Sequence, residues 1–312
     1  MSAPAVIEAA ATALGAVAQR GVPLGPRTTY RVGGPAALFV MVDGDPALRA
    51  VAEAVRSTGV DVLVVGKGSN LLVADAGFPG LAVALGDGFA DVAIDGTLLR
   101  AGAAASLPVV ARRSVAAGLT GFEWAVGVPG SIGGAVRMNA GGHGSDMAAS
   151  LVGVRVVDLR TGEDGDVPVA ALQLGYRSSS LAPEQLVVHA ELGLAPGDPE
   201  RGAAELAEIV AWRRAHQPGG ANAGSVFTNP PGDSAGRLID LAGAKGMRVG
   251  SASVSTKHAN FIQADEGGRA EDVRALMAEV QALVLARTGV ALEPETRCVG
   301  FAELNPRPEI EG

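Results

Sequence analysis

The stretch from Gly121 to Gly144, GFEWAVGVPGSIGGAVRMNAGGHG, constrains the fold more than any other part of the chain. Glycine recurs every few residues, which permits positive φ and lets another surface approach the bare backbone. Phe122, Trp124, Val126, Val128, Ile132, Val136 and Met138 are interleaved with the glycines, so the segment can be packed as well as bent. A glycine-lined backbone with N–H groups turned outward is a cradle for phosphate. The same pattern also fits a set of tight turns in a β-rich domain, and the segment alone leaves both open.

A second glycine loop lies upstream, VVGKGSNLLVAD. Gly66-Lys67-Gly68 begins like the dinucleotide fingerprint GxGxxG, but Leu71 stands at the third glycine position and a strand follows where that turn needs a helix. Walker A also fails, because Gly68 follows Lys67 and the upstream glycine is missing. The loop joins strand to strand. Ser69, Asn70 and the backbone amides could hold a pyrophosphate, or the loop could be a plain hairpin turn.

Composition narrows the partners. The 312 residues are 48% hydrophobic and 19% charged, with net charge −8. That charge argues against nucleic acid or an anionic membrane as the main partner. An anionic ligand must then meet local arginines, backbone amides and helix termini. One cysteine, Cys298, excludes an internal disulfide and suits a reducing cytoplasm. The N-terminal MSAPAVIEAAATALGAVAQRGV lacks a basic leader and is interrupted by Glu8, so it reads as an amphipathic helix, not a signal peptide. No apolar run approaches the ~20 residues of a membrane span. His143, His189, His216 and His258 lack metal-ligand spacing, so no metal site is expected.

In chain order, helices are expected over 4–20, 45–58, 106–118, 198–215 and 270–288, and one more after Asp233 or Ser234. Strands are expected around Tyr30 and Val32, then over 38–42, 61–65, 81–85, 92–94, 98–101, 152–159, 167–170, 186–194 and 259–263, with another following Gly289. Thr161-Gly162 and Asp164-Gly165 supply a turn, and the cluster from His216 to Gly220 marks a domain boundary. The class is α+β, divided into 1–85, 86–215, 216–301 and a polar tail at 302–312.

Three short motifs place reactive groups in apolar or glycine-rich settings: GYRS around Arg177, AGSVFTNP around Ser225, and EPETR around Glu295. Each has a bland alternative, as a surface charge, a turn residue and a surface ion pair. Together with TTYRVGGPA, VVGKGSNLLV, GVPGSIGGAVRMNAGG and KHANFI, however, they occur in an order and at separations that resemble the MurB family. These are UDP-N-acetylenolpyruvoylglucosamine reductases (UDP-N-acetylmuramate dehydrogenases), flavoenzymes of bacterial peptidoglycan precursor synthesis. The resemblance covers roughly residues 25–301.

It implies a two-part FAD-binding module of the vanillyl-alcohol-oxidase (PCMH) type plus a C-terminal α+β substrate-binding domain. FAD would be held non-covalently between the two parts, its pyrophosphate on the two glycine loops. NADPH would be the co-substrate, a nucleotide sugar the substrate, and the enzyme a cytoplasmic monomer. By resemblance Arg177 is a cation, Glu295 a hydrogen-bond-donating acid and Ser225 the proton donor. Cofactor contacts fall on Gly66, Lys67, Gly68, Ser69, Asn70, Gly127, Val128, Pro129, Gly130, Ser131, Gly133, Gly134, Asn139, Ala140, Gly141 and Arg297. Substrate contacts fall on Tyr176, Asn229, Lys257, His258 and Asn260. The short stretch between GYRSS and AGSVF lacks a tyrosine-bearing insertion, as in the shorter type II form. His216 stands where some members carry a lysine, and Thr296 replaces a common valine. Two other readings remain: an FAD-dependent oxidase of the same fold, with His143 as a covalent flavin attachment, and a non-catalytic nucleotide-sugar sensor.

Overall fold

The computed structural model describes residues 3–301, and the tail expected at 302–312 lies outside the described residues. The first unit is helix α1 (Ala3–Leu14), strand β1 (Gln19–Pro23), β2 (Pro35–Val42), helix α2 (Asp45–Thr58), β3 (Val62–Val64), β4 (Leu71–Val73) and β5 (Phe78–Leu85). The helix expected over 4–20 stops early because Gly15 takes φ +58 and the chain turns out of it. Four strands form a sheet in the order β1-β2-β5-β3, with β2 and β3 parallel to β5. The central β5 is buried along most of its length, as a parallel strand covered on both faces must be. Leu48, Val51, Ala52 and Val55 keep helical spacing on α2 and pack into this sheet, and Gly59 closes the helix in the left-handed region.

Tyr30 and Val32 are buried but not in a strand; their segment forms turns. It braces the GKGSN loop instead. Gly68, at φ +61, packs so tightly on the Arg27 and Thr28 backbone that a Cβ would overlap it, and Thr29 N–H donates to Gly68 O (3.1 Å).

The second unit holds β6 (Val92–Asp95), β7 (Leu98–Gly102), helix α3 (Leu107–Ala116), helix α4 (Ile132–Met138) and strands Leu151–Asp158, Asp164–Pro168 and Gln185–Gly193. The strands make a five-stranded antiparallel sheet in which Gln185–Gly193 lies between Leu151–Asp158 and β7. The strand expected over 167–170 starts and ends earlier, because Pro168 leads into a 3-10 turn. Phe122, Trp124 and Ala125, in the 3-10 turn Glu123–Gly127 and just before it, pack with α3 and helix α5 (Pro199–His216). The central glycine stretch is therefore core as well as loop.

The last unit has helix α6 (Ala235–Leu241), strands Arg248–Val249, Ala252–Val254 and Ile262–Ala264, and helix α7 (Ala270–Thr288). The strand expected over 259–263 begins only at Ile262, since Lys257 to Asn260 form a turn. The strand expected after Gly289 is confined to Arg297–Val299, which runs parallel to β4 and returns the chain to the first unit.

A second clamp joins these units. Asp75 accepts from Ala270 N–H (2.8 Å), while Glu271 accepts from Asp75 N–H (3.1 Å). This reciprocal cap satisfies N–H groups at the start of α7 from outside its own chain segment. Asp75→Ala is expected to lower stability by about 1–2 kcal/mol, read as a shift in the urea midpoint.

Candidate active site

The GKGSN loop connects strands of different sheets: β3 pairs with β5, and β4 with Arg297–Val299. It is not a hairpin, so cross-strand bonds do not consume its amides. Among the described residues, the N–H groups of Gly66, Lys67, Gly68, Ser69 and Asn70 donate to no protein acceptor. They form the concave array of donors that anions occupy.

Several amides of the GVPGSIGG loop, expected as the second cradle, are engaged within the protein. Gly130 N–H donates to Val128 O (2.9 Å), Ile132 to Ala105 O (2.9 Å) and Gly133 to Ala103 O (2.9 Å). Gly134 N–H is taken by Ser131 Oγ (3.4 Å). With those donors engaged, its glycines serve closeness. A Cβ at Gly133 would stand 2.9 Å from that of Ala103, and one at Gly66 would stand 2.7 Å from Ser131 Oγ. Bare backbone thus lines a cleft between the two sheets, walled by Gly66, Lys67 and Leu85 on one side and by Ser131, Arg137 and Gln185 on the other. A larger hollow, about 250 Å³, lies between α2 and the Leu151–Asp158 strand. Arg155 there pairs with both Asp45 and Asp164, so the charged groups neutralise one another and we assign it no chemistry.

Arg177 and Glu295 meet beside the cleft, Nε to Oε1 at 3.1 Å, with side chains 23% and 16% exposed. Arg177 sits in a two-residue turn closed by Gly175 and Ser178, at φ +54. A non-glycine residue in the left-handed region is strained, and such strain clusters at functional sites. Two contacts hold the turn. Arg177 Nη2 donates to Gly141 O (2.9 Å), and Asn139 Nδ2 donates to Gly175 O (2.9 Å). Asn139 Oδ1 accepts from Ala148 N–H (2.9 Å), so this buried residue engages protein at both side-chain atoms and positions the Arg177 turn.

Glu295 is anchored from two directions. Its N–H donates to Val226 O (2.8 Å), and its carbonyl accepts from Asn70 Nδ2 (3.0 Å). The first bond places it beside the residue that follows Ser225. The second ties it to the free-amide loop. Asn260 fixes the Ser225 segment: Oδ1 accepts from Phe227 N–H (3.0 Å) and Nδ2 donates to Phe227 O (2.8 Å). Asn260, expected among the substrate contacts, is buried, with both side-chain atoms engaged by Phe227. Ser225 is half-buried, and its hydroxyl has no protein partner among the described residues. Burial pushes the Glu295 carboxyl above the usual carboxylate range, and the Arg177 charge pulls against that shift.

The remaining candidates are dispersed around this centre. Tyr176 is exposed, with the Arg177 guanidinium 5.3 Å from its ring centroid. Lys257 Nζ donates to Arg214 O (2.6 Å), and His258 packs edge-on to Phe261. Burial lowers the His258 pKa. Asn229 Oδ1 accepts from Ala235 N–H (3.0 Å) at the start of α6. Of the glycine-segment positions, Gly127 is buried, Val128 and Ala140 are half-buried and Pro129 is exposed. The Gly141 carbonyl serves Arg177, and Arg297 N–H donates to Asn70 O (3.0 Å). His216 stacks on Trp212, and His143 meets the same indole edge-on. Sequence reasoning missed Arg137 and Gln185. Arg137 follows Gly133 by four residues, so helical spacing on α4 is the signal for it; Gln185 is reached only through sheet pairing. Among the described residues no group of His, Cys, Asp and Glu is arranged to hold a metal ion.

Comparison with known proteins agrees with this geometry. An FAD binding domain profile matches residues 36–164, which include both glycine loops. The profile for the UDP-N-acetylenolpyruvoylglucosamine reductase C-terminal domain matches 216–299. The reductase of that name from Heliobacterium modesticaldum is 43% identical over 284 residues, 89% of each chain. Its counterpart from Anaeromyxobacter sp. strain Fw109-5 is 43% identical over 90% of this chain and 88% of its own. The crystal structure of UDP-N-acetylenolpyruvylglucosamine reductase (MurB) from Thermus caldophilus superposes with TM-score 0.79 at 36% identity, covering 90% of this chain and 98% of that one. The free-amide loop and bare cleft fit a flavin dinucleotide, and the chain belongs to the UDP-N-acetylenolpyruvoylglucosamine reductase family of FAD-dependent oxidoreductases.

Proposed function

We propose that this chain reduces the enolpyruvyl group of UDP-GlcNAc-enolpyruvate to give UDP-N-acetylmuramate, with NADPH as reductant. The Arg177–Glu295 contact, held between the free-amide loop and the Ser225 segment, carries this reading. When bound, FAD would supply the hydride chemistry that links NADPH to the enol ether. Gly66 to Asn70 would hold its pyrophosphate through their amides, with Arg297 beside them, and the Gly127–Ser131, Gly133 and Gly134 backbone would wall the cleft.

The rest of the chemistry belongs to the protein. A hydride added to the methylene carbon leaves negative charge on the adjacent carbon and the carboxylate. Arg177 faces that charge as a fixed cation, and Glu295, whose carboxyl burial pushes upward, donates a hydrogen bond to it in its protonated form. Ser225 Oγ delivers a proton to C2. A serine is a weak acid, but a strongly basic carbon needs only a close, oriented donor. The added hydride and proton then account for both hydrogens of the reduced product. Tyr176, Asn229, Lys257 and His258 are the candidate contacts for the nucleotide sugar.

This reading assigns 1–85 and 86–215 to the two flavin-binding parts and 216–301 to substrate. It places the enzyme in the cytoplasm as a monomer, supported by its single cysteine and checked by sedimentation. Turnover in D2O with unlabelled NADPH tests the reaction itself. One deuterium at C2 of the product is expected, because a hydroxyl proton exchanges with solvent before it is delivered. A C2 position that stays fully protiated would overturn protonation from an exchangeable donor.

A further inference from the structure

Arg137 lines the flavin cleft opposite Gly66 and Lys67. Its Nη1 donates to the carbonyls of Leu181 (3.2 Å) and Ala182 (2.7 Å), which aims the guanidinium while leaving Nη2 and Nε without a protein acceptor. Among the described residues no carboxylate lies within ion-pair distance of it, or of the Arg297 side chain. Arg297 is near enough that its charge disfavours that of Arg137, although burial is the larger cause. Glu184 opposes both effects from longer range. Two neighbouring like charges without a carboxylate partner disfavour each other, and they are more conspicuous in a protein of net charge −8. Arg297 N–H bonds Asn70 O, so the pair adjoins the loop whose amides are free.

The geometry points to Arg137 as a second cation, with Arg297, for the two phosphates of the bound dinucleotide. The inference rests on the FAD reading and names a residue that reading did not include. The free amides supply directional donors, and the arginines supply the charge that amides lack. Arg137 hydrogen-bonds backbone from its inner edge, so its outer edge presents donors to the cleft without rearrangement.

Titration of apoprotein with FAD and, separately, with riboflavin tests it, with flavin fluorescence as the readout. Riboflavin keeps the ring system and lacks phosphate. Arg137→Met should weaken FAD about 10–100-fold, the range of a charge-assisted hydrogen bond, and leave riboflavin unchanged. Arg137→Lys should recover part of the loss, because charge survives without the planar fork. Arg297→Met combined with Arg137→Met should be non-additive if both grip one diphosphate. Equal weakening of FAD and riboflavin would make Arg137 a structural residue and overturn the inference, as would unchanged FAD affinity. Wild-type protein that prefers FAD no more than riboflavin would instead remove the flavin-dinucleotide reading beneath it.

Discussion

Ser225→Ala should leave reduction of the flavin by NADPH at the wild-type rate and slow product formation from the enolpyruvyl substrate by about 10²–10⁴-fold, the usual contribution of a positioned general acid. The two half-reactions separate because Ser225 is not in the cleft wall. It lies in the segment that Asn260 fastens and that bonds Glu295 through Val226. Loss of one hydroxyl that has no protein partner leaves no buried group unsatisfied, so folding should be unaffected. Stopped-flow absorbance with each substrate in turn reads both steps. A Ser225→Ala enzyme that turns over like wild type would show that another group carries the proton.

The second large effect is expected at the Arg177–Glu295 pair. Arg177→Met should reduce turnover of the enolpyruvyl substrate by about 10²–10³-fold, the scale of removing one donor from a developing negative charge. Arg177→Lys should rescue little, because the guanidinium contacts Glu295 from Nε and Gly141 from Nη2 at once, a geometry an ammonium does not reproduce. Glu295 adds a pH dependence. Its carboxyl is pushed up by burial, so the donating form persists beyond the ordinary carboxylate range and activity should fall as pH rises through the raised value. The folded group holds its proton more tightly than the unfolded one. Its contribution to stability is therefore complete at acid pH and lost as pH rises. Unfolding temperatures of Glu295→Gln relative to wild type should accordingly shift in the variant's favour on going from acid to neutral pH. A wild-type profile whose alkaline limb is unchanged in Glu295→Gln would assign that limb to another group.

Much of this was legible in residues that carry their own local instructions. Helix α7 shows its apolar spacing, acidic first turn and terminal glycine in the sequence, and the structure places Ala270–Thr288 accordingly. Helix α2 is equally local, bounded by Pro46 and Gly59. The segment around Tyr30 is apolar enough to suggest a strand, yet its role is set by Gly68, which lies far along the chain. Glycine loops are ambiguous in the same way. Composition does not tell which amides are free: those of Gly66 to Asn70 are, while Ile132 and Gly133 donate to Ala105 and Ala103. The site residues were legible as types, but their convergence depends on long-range bonds, such as Asn70 to Glu295, that only tertiary structure sets. Asn260 illustrates the difference, since an amide suited to a ligand is engaged at both ends by Phe227.

The most direct test is anaerobic stopped-flow spectroscopy of the wild-type holoenzyme. NADPH should bleach the flavin absorbance, and UDP-GlcNAc-enolpyruvate added to that reduced enzyme should restore it at a rate consistent with turnover. A reduced flavin that oxygen reoxidises but the enolpyruvyl sugar does not would contradict the account.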